Sequence, residues 1–430
     1  MDADVIIIGA GAAGIAAGMR LREAGQRVII LEARDRIGGR IHTDYEFANF
    51  PVERGAEFIH GANVVTHELV RQAGLSEIPV DRMGKLRWGS PARPIADLPD
   101  DERSLIEGLF KVYASLKDAN LPGDVSLSKY FADNGYPQKI AQDIADVLFA
   151  QTCCASIYNL SCHDLQREMR VDHSGGLEHG GESRIREGYS ALITWMARDL
   201  DIRLNTPATH IQRTDQGVRI TAKGADYTAR ACILTIPVAV LNEGLKSGAL
   251  TFDPPLSDIK REAIAAFRTE GATKLVYQFR QRLWDTDLTY MADDWFAARW
   301  WTPAYERDNA DAVISAFITA TRAIGLYHHI DDAVLKLGLS DLGTMLGISD
   351  DDLHAALVKC EVVNWGEDPW ALGGYAYVPV GKANARPALA APESGGLFVA
   401  GEATAYDTNP QTVHGAIESG WRAAGETISF

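Results

Sequence analysis

An α/β fold built from two interleaved domains is predicted by three features of the sequence. A strand, a glycine turn, a helix and a second strand follow one another within residues 5–32; the chain then leaves this pattern twice for stretches of different character; and it closes with another strand, loop and helix. A length of 430 residues points the same way, because one ordinary hydrophobic core does not extend over so long a chain. With 46% hydrophobic and 23% charged residues the chain can bury sizeable cores and is not of the disordered class.

The opening unit begins with the apolar run Val5 to Ile8, followed at once by Gly9-Ala10-Gly11-Ala12-Ala13-Gly14 and a helical segment reaching about Ala24. Gly25 stops that helix, "RVIIL" forms the second strand and Glu32 stands at its end. This is the order of a Rossmann-type dinucleotide-binding unit. Gly9 permits the tight turn, Gly11 lets a pyrophosphate approach the backbone, and Gly14 lets helix and strand pack closely. The helix start offers free N–H groups and a positive dipole end to phosphate, and Glu32, 18 residues past Gly14, stands where an acid accepts from ribose hydroxyls. The first twenty residues, apolar and rich in small residues, are not expected to act as a signal peptide, since Asp2 and Asp4 stand where a signal carries positive charge.

Directly after Glu32 runs "ARDRIGGRIHT". The pair Gly38-Gly39 permits a second close approach of backbone to ligand, and Arg40 either meets the ligand's pyrophosphate or is a solvated arginine on a surface turn. The stretch "EARDRIGGR" resembles the signature of the flavin amine oxidases, the family of monoamine oxidases, polyamine oxidases and lysine-specific histone demethylases. The resemblance implies FAD as cofactor, and a Rossmann-type, glutathione-reductase-like FAD-binding domain interrupted twice by an α+β substrate-binding domain. On this reading residues 1–64, 182–254 and 379–430 form the first domain, and 65–181 and 255–378 the second. It also implies cofactor contacts for Arg34, Gly55, Ala56, Glu57, Phe58 and Ala208, besides Gly38, Gly39 and Arg40.

Within the first interruption "DERSLIEGLFKVYASLKD" and "QKIAQDIADVLFAQTC" repeat apolar residues at three and four, so residues 65–181 read as helices and loops. A helix in "REGYSALITWMARDL" and strands in "ATHIQ", "GVRITA" and "ACILTIP" mark the return. After Pro254-Pro255 come a helix near 257–267, a strand "GATKLVYQF" and another in "DAVISAFIT". The closing "GLFVAGEATAYDTNPQTVHGAIESGWRAAGETI" reads as a buried strand, a loop and a last helix begun by Thr412 or a neighbour. A helix start near a flavin stabilises negative charge on the ring. The resemblance assigns Gly401 and Glu402 to the ribityl chain and Thr412 and Val413 to the flavin's pyrimidine end.

Lys274 heads the strand "GATKLVYQF", in which Leu275, Tyr277 and Phe279 alternate with Lys274, Val276 and Gln278. Taken alone it is a solvated lysine on an open sheet face; by resemblance it is the family's lysine, which holds a water against flavin N5. In "NWGEDPWALGGYAYVPVG" the aromatics Trp365, Trp370, Tyr375 and Tyr377 are either core or, by resemblance, the segment beside the flavin, with Tyr375 as one aromatic wall of the amine site. Two positions depart from the monoamine oxidases. Gly374 replaces the cysteine that binds their flavin covalently, so FAD is expected to be non-covalent, and Thr412 falls where their second aromatic wall stands. His60, in "GAEFIHG", is either a substrate-facing histidine, as in some polyamine oxidases, or a core histidine. Glu57 is a candidate for the negative charge that a polyamine needs.

The function implied is oxidation of a small-molecule amine, a polyamine or another primary or secondary amine, with O2 as acceptor and hydrogen peroxide as product. An L-amino-acid oxidase on the same scaffold is the first alternative; it needs an arginine for the substrate carboxylate, and Arg299, beside Trp300 and Trp301, is available. The lysine strand and "WGEDPW" count against a desaturase or a protoporphyrinogen-oxidase-like enzyme. A non-catalytic flavoprotein binding module is the remaining alternative. Five cysteines without CxxC spacing argue against a disulfide framework and a zinc site, so no metal is expected. A net charge of −16 disfavours nucleic acid and anionic membrane as partners. No apolar run is long enough to span a bilayer, and a cytoplasmic protein is expected, with a homodimer as the assembly to test.

Overall fold

The computed structural model describes residues 1–171 and 182–430; the predicted domain boundary at residue 181 lies outside the described residues. Val5–Ile8 is buried at every position and pairs in parallel with Val28–Leu31 on one side and Ala231–Leu234 on the other. Continuous β-branched runs of this kind suit a strand covered on both faces. Leu397–Val399 and Asp201–Arg203 complete a five-stranded sheet, so the first and last parts of the chain share one sheet.

The helix Ala12–Glu23 follows the glycine turn and packs along the terminal helix Val413–Ser429. Small residues make that approach close: a Cβ at Gly420 would stand 2.2 Å from the Ala13 carbonyl oxygen. Ala208–Thr214, Gly217–Ala222, Ala225–Ala229 and Thr251–Asp253 form a separate four-stranded sheet.

The lysine strand, Ala272–Phe279, belongs to a seven-stranded sheet, antiparallel to Leu357–Asn364 on one side and to Ala312–Thr319 on the other. Beyond Ala312–Thr319 come Arg299–Trp301, Tyr290–Ala292, Leu86–Trp88 and Arg93–Pro94. The last two correct the expectation of helices and loops alone over 65–181, as does Glu77–Pro79, which pairs with Ser183–Ile185. Segments of two or three residues are too short to display an alternation in sequence. In "QKIAQDIADVLFAQTC" the α-helix covers only Lys139–Ala145; wider and then tighter turns carry the chain to Cys154, whose φ is +49°.

One buried ion pair ties these parts together. Nε of Arg386, on the helix Ala385–Ala390, donates to both carboxylate oxygens of Asp164 (3.2 and 3.0 Å), on the helix Cys162–Val171. Its other nitrogens donate to the carbonyls of Ala403 (3.3 Å) and Ala376 (3.2 Å). Breaking a buried pair leaves a charge without a partner. Arg386→Met is therefore expected to lower stability by about 3 kcal/mol, read as a reduced midpoint of urea unfolding, with Arg167, 3.3 Å from Asp164, limiting the loss.

Candidate active site

A cavity of about 550 Å³ opens where the five-stranded sheet meets the second glycine turn and the terminal helix. Gly9 and Gly11 of the first turn line it, with Glu32, Arg34, Gly38, Gly39 and Arg40 from the segment that follows. Ala56, Ala208, Trp370 and Tyr375 add a further wall, and Gly401, Glu402, Thr412 and Val413 close it. The glycines divide their work by geometry. A Cβ on Gly11 would meet nothing within 4 Å, so the missing side chain leaves open space for a ligand. A Cβ on Gly14 would stand 2.0 Å from the Gly9 carbonyl oxygen, so Gly14 serves helix packing and does not line the cavity.

Charged groups in this wall are already oriented. The Glu32 carboxylate accepts from the amides of Ala10 (2.6 Å) and Arg34 (2.8 Å). Arg34 makes a two-pronged pair with Asp368 at 2.8 and 2.7 Å. Arg40 donates to the Gly374 carbonyl and to Glu402 Oε1 (3.1 Å), which also accepts from the Ala376 amide (3.2 Å). Glu402 Oε2 is buried without a hydrogen-bond partner, an acceptor waiting for a donor. Thr412 caps the terminal helix, its hydroxyl accepting from the Gly415 amide at 2.9 Å.

Several residues expected at the cofactor lie behind the cavity wall. Gly55 makes room for the Arg40 carbonyl, which a Cβ would approach to 1.9 Å. Trp365 donates its indole N–H to the Arg54 carbonyl (2.9 Å) and packs with Cys154, Ala272 and Ala371. Glu57, Phe58, His60 and Lys274 also stand outside the cavity lining. Their side chains form a second, polar layer.

That layer centres on Glu57. Lys274 is 2% exposed, not solvated as its strand alone suggests, because residues 53–57 cover its face of the sheet. Its ammonium donates to Glu57 Oε2 (2.7 Å) and to the Glu53 carbonyl (2.5 Å). Glu57 Oε2 also accepts the Trp301 indole N–H (2.8 Å), and Oε1 accepts from Arg184 Nε (2.9 Å). Burial opposes ionisation of Glu57, but Lys274 and Arg184 outweigh it and hold the carboxyl below the ordinary 4.5. Glu53, whose carboxyl burial pushes up to about 7, turns away to Thr43 and the Tyr189 amide.

His60 donates through Nδ1 to the Glu182 carboxylate at 2.8 Å, and Glu182 also receives Arg82 (3.0 and 2.6 Å). Burial works against the Glu182 charge, yet Arg82 and His60 hold it well below the usual carboxylate range. The guanidinium groups of Arg82 and Arg184 lie over the Phe58 ring, 3.8 and 4.7 Å from its centroid. From Phe58 a chain of rings runs through Trp301 (5.6 Å) and Phe317 (6.1 Å) to Tyr375 (6.4 Å). Phe317 sits directly opposite Lys274 in the strand register.

Sequence reasoning missed Phe317, Trp301, Arg184 and Gln411. The alternation in "DAVISAFIT" places Phe317 on one face of its strand, but its partner strand is visible only in the fold. Gln411 lines the cavity with φ of +62°, and its amide donates to the Cys153 and Ala376 carbonyls, both at 3.2 Å. Strained backbone of this kind clusters at functional sites.

The model of the family described as flavin containing amine oxidoreductase matches residues 12–428. The chain belongs to that family. Among curated proteins it is 28% identical to lysine-specific histone demethylase 1B of Mus musculus, over 99% of this chain and 53% of that protein. It is likewise 28% identical to polyamine oxidase 4 of Oryza sativa subsp. japonica, over 98% of this chain and 88% of that protein. The chain thus spans about half the length of the demethylases it matches. Its fold is that of putrescine oxidase bound to putrescine (TM-score 0.85, 21% identity, covering 100% of both chains). Cyclohexylamine oxidase from Brevibacterium oxydans IH-35A gives the same TM-score of 0.85 at 20% identity, covering 100% of this chain and 99% of that one.

FAD is the cofactor, and the residues fit it: Gly11 leaves space for a phosphate against backbone, and Glu402 Oε2 offers an unused acceptor to a hydroxyl. It is held non-covalently. Position 374 is glycine, and a Cβ there would stand 2.6 Å from Cys154 Sγ. Among the described residues no group of ligands is arranged to hold a metal ion, and no helix is long and apolar enough to cross a membrane.

Two outcomes follow from this geometry. Gly11→Val meets no atom of the protein within 4 Å of the new Cβ, so the variant is expected to fold yet purify with little flavin, measured as the ratio of absorbance at the flavin band to that of protein. Glu57→Leu strands Lys274 and Arg184 without their carboxylate and is expected to cost about 3–5 kcal/mol in chemical unfolding. Because Glu57 titrates below 4.5 when folded, its contribution is complete above pH 4.5 and is lost as the pH falls through the folded value. Glu57→Gln removes that part of the acid-side slope in stability measured against pH.

Proposed function

We propose that the protein is an FAD-dependent amine oxidase acting on a primary or secondary amine, with polyamines the class named among its relatives. The observation that carries this reading is Lys274, 2% exposed and fixed by Glu57, on the sheet face that also bears Trp301 and Phe317 and leads to cavity-lining Tyr375. Segments 1–64, 182–254 and 379–430 hold the cofactor, and 65–181 and 255–378 shape the substrate side.

FAD held by the lining of the cavity, Gly11, Glu32, Arg40 and Glu402 among it, would supply a two-electron acceptor for the amine's α-carbon hydride, with O2 as the final acceptor, hydrogen peroxide as its product and water converting the imine to aldehyde or ketone. The chain's own residues bind, orient and exclude water. Tyr375 and Phe317 present ring faces that confine the substrate's carbon skeleton and place its α-carbon. Lys274, hydrogen-bonded to Glu57 and the Glu53 carbonyl, would offer its remaining donor to a water on the cavity side and so assist the reduction of oxygen. Thr412 fixes the start of the terminal helix, whose dipole favours negative charge at the cavity. His60 and Glu182, with Arg82, stand on the substrate side as a polar rim. The compartment proposed is the cytoplasm, in keeping with five free cysteines, four of them buried.

The test is anaerobic mixing of the purified yellow protein with spermidine, putrescine and aromatic monoamines. Loss of the oxidised-flavin band with one class, reversed by air with peroxide release, is the expected result; no bleaching with any amine refutes the proposal. Lys274→Met is expected to bleach with that class while reoxidation by air slows by roughly 10–100-fold.

A further inference from the structure

We infer that Gln411 binds the reacting amine, its side-chain oxygen accepting a substrate N–H, so that the site selects primary and secondary amines and discriminates against tertiary ones. The inference rests on the amine-oxidase reading and narrows its substrate class.

Gln411 immediately precedes Thr412, the cap of the terminal helix, and lines the cavity together with Thr412 and Tyr375. Its φ of +62° is one that a residue with a Cβ rarely adopts, so the surrounding contacts must hold it there. Nε2 donates to the carbonyls of Cys153 and Ala376, both at 3.2 Å. The two anchors belong to segments already in contact, since a Cβ on Gly374 would stand 2.6 Å from Cys154 Sγ. Tyr375 lies between Gly374 and Ala376 in the chain, and Gln411 is thereby fastened beside it. Ala376 is gripped from both sides, its amide by Glu402 at 3.2 Å and its carbonyl by Gln411.

This pair of bonds also fixes which way the side chain faces. Both partners are carbonyl oxygens, which only the NH2 end of the amide can satisfy. The oxygen end therefore turns away from them. Nothing among the described residues donates to Oε1, and Oε1 is not one of the partnerless atoms sealed inside the protein, as Glu402 Oε2 is. Gln411 thus presents an open, unused acceptor on a wall of the cavity, held in place by its own donors.

An uncharged acceptor suits the nitrogen of an amine about to be oxidised. As the α-hydride leaves with the C–H electron pair, the nitrogen lone pair forms the new C–N π bond. A carboxylate at this place would favour the ammonium form, in which a proton holds that lone pair. An amide oxygen takes an N–H, leaves the lone pair free and fixes the direction in which the α-carbon points. An uncharged tertiary amine has no N–H to give and leaves the oxygen without a partner in the closed site, which costs more than a bond never formed.

The test uses the holoenzyme with two series, butylamine and benzylamine, each with its N-methyl and N,N-dimethyl forms, followed by anaerobic flavin reduction. The wild type is expected to reduce with the secondary amine at least about tenfold more efficiently than with the tertiary one in at least one series. Gln411→Gly, suited to the positive φ, is expected to keep its flavin and to narrow that ratio to about threefold or less. A wild type that accepts the tertiary member as well as the secondary one overturns the inference, as does a variant that slows with every member alike, the mark of a structural role. Loss of flavin from Gln411→Gly with the ratio unchanged assigns the oxygen to the cofactor and also overturns it.

A second readout needs no turnover. tert-Butylamine has no hydrogen on its α-carbon and cannot be oxidised there; it is expected to perturb the wild-type flavin spectrum and to bind about fivefold more weakly or worse in Gln411→Gly. No perturbation, or equal affinity, counts against the inference. If no amine reduces the flavin while tert-butylamine binding depends on Gln411, the amine site stands and the oxidase reading falls; if binding is also indifferent to Gln411, both fall. Should Gln411→Gly fail to fold, Gln411→Asn, which tolerates the same backbone and withdraws the oxygen by one methylene, decides by the same ratio.

Discussion

The polar layer behind the cavity wall is centred on one buried carboxylate. Glu57 receives an ammonium, a guanidinium and an indole N–H from three separate stretches of chain, Lys274, Arg184 and Trp301. Each donor is too deeply buried to be satisfied by water, and each would be costly to leave alone. The carboxylate therefore fixes the height and direction of Lys274, the tilt of the Trp301 ring and the approach of the segment that carries Phe58 and His60. The lysine that begins an otherwise apolar strand has its explanation there: it is a pinned charge.

The cavity and the charged layer are distinct constructions with one shared edge. The cavity is made mostly of backbone, because glycines and small residues bring main chain close and leave space where side chains would be. The layer behind it is made of long side chains that reach across from a different sheet. Ala56 and Glu57 are consecutive residues that serve the two sides, one lining the cavity and the other anchoring the lysine. Arg386 performs a related office at the opposite edge, holding Ala403 and Ala376, the neighbours of Glu402 and Tyr375, to a helix of the first interruption. Two sheets built from interleaved segments thereby meet at a site with little freedom to drift.

Much of the cofactor side was legible beforehand because its chemistry is local. The spacing of Gly9, Gly11 and Gly14, the acid at Glu32 and the pair Gly38-Gly39 are patterns over a few residues, each with a backbone reason. The spacing separates two jobs for Gly11 and Gly14, but not for Gly55. Gly14 and Gly55 admit neighbouring protein atoms, and Gly11 admits a ligand. Composition cannot separate these cases, because a glycine is equally silent about what occupies the space it leaves. Trp365, expected beside the cofactor, packs behind the cavity wall: an aromatic in such a segment packs on whichever side the turn presents it.

By itself the sequence determined the βαβ opening, the capped terminal helix and the presence of a lysine on a strand. Those properties depend on propensity, periodicity and turn chemistry within short windows. Only the tertiary structure decided that Lys274 pairs with Glu57, that Phe317 stands opposite it, and that Arg299 is buried without a carboxylate. These contacts join residues many tens of positions apart, and whether a charge is paired depends on which strands become neighbours. Burial and pairing are properties of the assembled sheets, and no local pattern of residues encodes them.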